Sequence, residues 1–244
     1  MQYAFGSGTL YGRRTDAIPA TPVKFGALQG VTVDFAFSIK ELYGRKQFPV
    51  ALGRGTGKIT GKAQFGKFNA QAFNDLFFGE TSVATGSQVT VDAEAATVTA
   101  NIVTVTGNAT FLRDLGVVLA SDQSIYARVT ASPTGLQYSV NESTGVYTFN
   151  SSQNNVAVRV SYQKTDAANG KLVTLTNQDL GAAPLFLVVL AETFKSKKLT
   201  LTLNQCMSSK MSMATKLEDF VIPDFDFSAL ADGADEIGKL SLDE

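Results

Sequence analysis

Three groups of residues in this 244-residue chain have side chains of the kinds that do chemistry. Gly53-Arg54-Gly55-Thr56-Gly57-Lys58 mixes glycines with two cations, the material of a phosphate cradle. It lacks the four-residue spacer of a phosphate loop and has no Ser or Thr after the lysine. It also leads into a strand pattern, so no helix N-terminus stands ready to hold an anion. Cys206, Met207, Met211 and Met213 are soft ligands that suit Cu(I), but such residues ordinarily fill gaps in cores. Asp224 and Asp226 fall on one face of an alternating segment, about 7 Å apart. That spacing fits a glycosidase carboxylate pair, yet no tryptophan platform for a sugar accompanies it, and surface solvation is the ordinary role of such acids. Histidine is absent, which eliminates a Ser-His-Asp triad, and a single cysteine eliminates disulfide frameworks and multi-Cys/His zinc sites. Composition leaves a Ser-Lys or paired-carboxylate enzyme open. The expectation is therefore no catalytic set, no cofactor and no metal.

The elements around these residues read mostly as strands. Val31, Val33, Phe35, Phe37 and Ile39 alternate with Thr32, Asp34, Ala36, Ser38 and Lys40, the period of a half-buried strand. Ile59, Ala63 and Phe65 then share one face against Lys58, Thr60, Lys62 and Gln64, with Gly57 and Gly61 marking bulges or close backbone approach. Between the two strands, Leu42–Gly55 reads as a long loop carrying Arg45, Lys46 and Arg54. One helix is expected over 69–78: Asn69 is an N-cap, Phe68 and Phe73 have staple spacing, Gly79 is a left-handed stop, and Phe73, Leu76 and Phe77 form its packing face. Such a helix must lie on a sheet.

Residues 80–184 turn rich in Thr, Val, Asn and Ser, with strand runs at 97–105, 126–130, 145–149, 156–162 and 171–176. They read as an inserted β module between two parts of one domain, 1–79 and 185–244. Strands resume at 185–192 and 197–204, and the alternation of 219–231 puts Phe225 and Phe227 on one side with Asp224 and Asp226 on the other. The whole is mainly β.

Charge is uneven along the chain. Residues 1–79 hold ten Lys or Arg against four acids, 80–184 five against eight, and 185–244 six against ten. A basic head and an acidic tail suit self-association or contact with a polyanion. Met1–Gly8 has no basic n-region or apolar h-region, and Leu185–Ala191 is the longest apolar run, far short of a membrane span. The sequons at Asn108, Asn141 and Asn150 matter only in a secreted eukaryotic protein. A reduced, cytosolic setting is the default.

The stretch "FGALQGVTVDFAFSIKELYGRKQFPVALGRGTGKITGKAQFGKFNAQAFNDLFFG" and the closing "KKLTLTLNQCMSSKMSMATKLEDFVIPDFDFSALADGADEIGKLSLDE" together resemble the major tail tube proteins of long-tailed bacteriophages with non-contractile tails. The segment "TGLQYSVNESTGVYTFNSSQNNVAVRVSYQKT" is similar to small β modules that recur in phage structural proteins. The resemblance implies a β-sandwich or barrel with a flanking helix, a tail tube subunit that forms stacked hexameric rings. Its implied partners are its own copies, the tape-measure protein, tail terminator and distal tail proteins, and double-stranded DNA that passes without specific binding. The implied setting is the virion tail, assembled in the host cytoplasm, with no membrane role. It places Arg45, Lys46 and Arg54 at an inter-ring contact and Asp224 and Asp226 on a negative channel wall.

Two other classes fit parts of the chain. A nucleic-acid-binding protein would use the basic face of Lys58, Lys62 and Lys67, but the aromatics fall on the opposite side. An adhesin or carbohydrate-binding protein would use the module of residues 80–184.

Overall fold

The computed structural model describes residues 6–17, 20–67, 69–215 and 217–243. The elements in chain order are β1 (Thr9–Arg14), β2 (Val23–Lys24), β3 (Gly26–Tyr43), β4 (Pro49–Lys67), α1 (Ala70–Phe73, continued by a π turn Asn74–Phe78), β5 (Ala84–Thr97), β6 (Ile102–Thr104), β7 (Phe111–Leu119), β8 (Ala127–Arg128), β9 (Gln137–Asn141), β10 (Val146–Phe149), β11 (Ala157–Leu172), β12 (Leu185–Phe194), β13 (Lys197–Ser212), β14 (Asp224–Leu230) and β15 (Gly238–Leu242). The chain is mainly β and divides into two compact units. One comprises 1–83 with 173–244, the other 84–172. The inserted module is thus shorter than the composition shift suggests: residues 80–83 and 173–184 belong to the first unit. Glu80 holds them there, its carboxylate accepting from the Thr176 amide at 2.7 Å and from the Thr176 hydroxyl.

The first unit is one sheet in the order β2-β1-β12-β13-β14-β4-β3, with β15 paired to the first half of β13. Only Phe25 separates β2 from β3, so the two ends of this path are covalently joined and the sheet curls back on itself. The Phe25 amide donates to the Leu10 carbonyl at 2.9 Å, and the Ser7 hydroxyl bridges to the Leu28 carbonyl across the seam at 2.8 Å. Period-two alternation sends Leu10, Phe65, Phe186, Leu203, Phe225 and Phe227 into the enclosed core. Two glycines of β4 lie under aromatic rings: a β-carbon would overlap the Phe227 ring at Gly61 and the Phe37 ring at Gly57. Of the bulges or close backbone approaches expected at these glycines, both positions show the close approach.

The helix is local chemistry made visible. The Asn69 side chain accepts from the Gln71 and Ala72 amides, at 2.9 and 3.3 Å, and Gly79 takes the left-handed conformation at φ 69°. Its second half widens into a π turn, because the Asn74 side chain clasps the backbone of Glu80 with two hydrogen bonds while the Gly79 amide reaches the Asn74 carbonyl. Leu76 is buried against Gly12 of β1, with Phe73 and Phe77 half-buried on the same core. The staple partner Phe68 lies outside the described residues.

The second unit packs a three-stranded sheet, β5-β11-β7, and a four-stranded sheet, β6-β10-β9-β8, around a core rich in tyrosine. The expected strand 97–105 breaks at a turn where Ala100 and Asn101 are left-handed, and β8 keeps only two residues of 126–130. The run 171–176 ends at Leu172. Asp114, nearly buried, accepts from the Tyr138 and Tyr147 hydroxyls at 2.6 and 2.9 Å. Glu94 does the same for Tyr162 at 2.6 Å, and burial, with Glu94 beside it, pushes that phenol up to about 12.

Ala84 and Leu172, the first and last residues of this unit, are register partners on antiparallel strands. Their α-carbons are therefore about 5 Å apart, and a chain joining Val83 to Val173 through a short Gly/Ser linker closes without strain. That protein is expected to keep a β circular-dichroism spectrum and one cooperative melt. Unfolded or aggregated product would show that residues 84–172 support the rest.

Candidate assembly interface

The long loop expected over Leu42–Gly55 is largely strand. β3 and β4 stay paired through Tyr43↔Pro49, leaving a five-residue turn, 44–48. Bulges absorb the breakers: the register shifts between Phe37 and Ile39 and between Leu42 and Tyr43. Pro49, as the first residue of its strand, forfeits no ladder bond that matters. Gly53–Lys58 therefore lies inside β4, extended and paired, with no turn to cradle a phosphate.

This hairpin outgrows its sheet. β14 pairs with β4 only from Ile59 to Gln64, so beyond Phe35↔Ile59 the two strands have, among the described residues, no strand neighbour but each other. A ribbon of about 30 Å projects from the body. A two-stranded hairpin alone is marginal in water. Its faces are also unequal. The core-facing row of Val31, Val33 and Ile59 continues outward as Phe35, Phe37, Ile39 and Leu52, which are 56, 49, 66 and 67% exposed. Near the tip, Phe48 is 80% exposed. Full burial of such side chains is worth about 1.5–3 kcal/mol each, so the ribbon holds several kcal/mol of docking energy unused.

Its cations divide into two kinds. The Arg54 guanidinium stacks 4.1 Å from the centre of the Phe37 ring and so belongs to the apolar face. Arg45 and Lys46 stand exposed in the turn. The structure does not gather Arg45, Lys46 and Arg54 into one patch.

Asp224 and Asp226 lie on the outer face of β14, since Phe225 and Phe227 between and after them are only 2 and 1% exposed. They do not form a bare negative strip. Asp224 accepts from Gln64 at 2.8 Å and Lys62 at 2.9 Å, and these bonds hold its carboxyl below the usual range while raising Lys62. Asp226 sits in register with Lys62 on one side and Lys210 on the other. With Asp34, Lys58, Thr32, Thr60 and Ser228, this face is hydroxyl-rich and nearly balanced in charge. The basic row Lys58, Lys62 and Lys67 is likewise divided, because Lys62 is committed to Asp224.

Cys206 is buried in the core, its thiol pushed up to about 12 by burial, whereas Met207 and Met213 are exposed, so the soft ligands do not converge. No group of three or more His, Cys, Asp or Glu able to hold a metal occurs among the described residues, and no helix there is long and apolar enough to cross a membrane. The exposed row on the ribbon went unread in the sequence, although a strand pattern far longer than the usual 5–6 residues was a signal for it. Glu192, beside Ser7 and Leu28 at the seam, was also missed, and no local pattern singles it out.

No protein-family model matches the chain, and a search of curated proteins gives no significant match.

Proposed function

We propose that this protein is a structural subunit, the tube protein of a long non-contractile phage tail. It closes into hexameric rings that stack head to tail around a channel for double-stranded DNA, with tape-measure, terminator and distal tail proteins as its other partners. It assembles in the host cytoplasm and resides in the virion tail.

One observation carries this reading: a paired ribbon that extends the core's apolar face into solvent. Monomeric proteins blunt long edges and apolar strands, whereas assemblies cover them. The basic start and acidic end of the sequence also suit a heterologous contact, which repeats without closing along one axis. A nucleic-acid-binding role is less favoured, because the ribbon's aromatics lie on the face away from Lys58 and Lys62. Negative-stain microscopy of purified protein tests the proposal. Rings or tubes are expected, and a monodisperse monomer at high concentration and low salt would overturn it.

The face carrying Asp224 and Asp226 is assigned to the channel. A net basic wall would release counterions from DNA and hold it; a compensated, hydroxyl-rich wall lets the duplex slide. Changing both aspartates to Lys places them beside Lys62 and Lys210 and makes the face strongly basic. Tubes of normal appearance are expected, in virions whose DNA ejection is slowed most at low salt. Unchanged ejection would remove these residues from the channel, and lost assembly would move them to a subunit contact.

A further inference from the structure

Asn169 is the only asparagine of the chain with glycine after it. The pair is chemically distinct, because a glycine nitrogen with no side chain beside it has the freest approach to the preceding asparagine's side-chain carbonyl carbon. The fold holds this pair outside the ladder. Asp166 of β11 pairs with Ser87 of β5 and the next pair is Lys171 with Thr85, so residues 167–170 bulge out opposite Gly86. All four are exposed. One carboxylate closes the bulge: Asp166 accepts from the Ala168 and Asn169 amides at 3.0 and 3.1 Å, and from Asn169 Nδ2 at 3.0 Å. These bonds, the side-chain one foremost, hold its carboxyl below the usual range. Asn169 Oδ1 has no hydrogen-bond partner among the described residues, which leaves the carbonyl carbon uncovered. The glycine itself is required. Gly170 has φ 87°, and a β-carbon there would lie 2.8 Å from that of Ser87.

We propose that Asn169 is a site of spontaneous deamidation, a self-modification whose only co-reactant is water. The Gly170 nitrogen attacks Asn169 Cγ, the new C–N bond closes a five-membered succinimide, the Cγ–Nδ2 bond breaks, and the Gly170 proton leaves with the ammonia. Water then opens the ring. Opening at Cγ gives aspartate, and opening at the Asn169 backbone carbonyl gives isoaspartate, whose main chain runs through the former side chain. Either product adds a negative charge. Where Nδ2 donated to Asp166, two carboxylates now face each other and repel. Isoaspartate also lengthens the backbone where Gly170 passes close to Ser87, so the bulge loses its closure. Nothing in the reaction depends on assembly. Asp232-Gly233, the one Asp-Gly pair, marks the contrast. Its carboxylate accepts from the Ala234 and Glu236 amides and the Asn204 side chain, which hold it below the usual range, and an ionised carboxylate is a poor electrophile.

Mass spectrometry of the full-length protein, aged in its folded state at mildly alkaline pH, tests this. Trypsin releases residues 165–171, which contain no other side-chain amide. That peptide is expected to gain one mass unit and to divide into aspartyl and isoaspartyl species, roughly tenfold or more faster than any other asparagine peptide. Ion exchange should resolve a matching acidic form of the intact chain. Asn169→Gln, whose side chain would have to close a larger ring, is expected to keep its peptide unchanged and to lose that acidic form. Protein unfolded in urea is the reference. Conversion in urea with none in the folded protein would overturn the proposal, because the Asp166 clasp would then be a lock. Conversion at Asn169 no faster than at the other asparagines, or an undiminished acidic form in Asn169→Gln, would overturn it as well.

Discussion

Replacing Phe37, Ile39 and Leu52 by Thr is expected to leave a well-folded subunit that no longer forms tubes. The three side chains share one face of the projecting ribbon and touch little of their own subunit, so their loss removes almost nothing from the folded monomer. Threonine keeps the β preference of the backbone. What disappears is apolar area that a neighbouring copy would cover. Each side chain is already partly sheltered, so docking loses about 3–5 kcal/mol over the three, a few-hundred-fold or more in association. The Arg54 guanidinium also loses the Phe37 ring on which it stacks. Sedimentation separates the outcomes: a stable monomer or ring is expected, with a melting temperature near that of the wild type. Tubes of normal length at normal concentration would show that this face is not the contact.

Asp114→Ala is expected to be the most damaging single change to the second unit. Its carboxylate is 4% exposed and accepts from two tyrosine hydroxyls and the Gly116 amide, at 2.6, 2.9 and 2.9 Å. Truncation strands three donors at once, two hydroxyls of buried tyrosines and the amide of half-buried Gly116. At about 1–3 kcal/mol for each donor left unsatisfied, and allowing for a water that enters the vacated space, the loss is about 3–5 kcal/mol. Domains of this size melt about 4–8 °C lower for each kcal/mol, so the transition of residues 84–172 should fall by roughly 15–30 °C in calorimetry of the full chain. Tyr147→Phe, which removes one donor and leaves the carboxylate its other partners, should cost about 1 kcal/mol. A shift of only a few degrees for Asp114→Ala would mean that the tyrosines reach water, and that the network is not a buried one.

Local chemistry alone determined much of this protein. The Asn69 cap, the Gly79 stop, the packing face of Phe73, Leu76 and Phe77, and the opposite senses of Phe225 and Asp224 all follow from interactions within a few residues, which a pattern of period two or a capping side chain encodes directly. The absence of histidine set limits on catalysis that no folding could change. Tertiary structure decided the rest, because it depends on where another strand ends. Val33 and Phe37 occupy equivalent places in one alternation, yet Val33 lies against the core and Phe37 meets solvent, since β14 covers β4 no further than Ile59. The pairing of Asp224 with Lys62, 162 residues apart, turned an expected negative strip into a balanced face. Glu192 became an unsatisfied carboxylate only when the curled sheet brought Ser7, Leu28 and Leu190 around it. Burial and charge balance are properties of neighbours, and in a curled sheet those neighbours are distant in the chain.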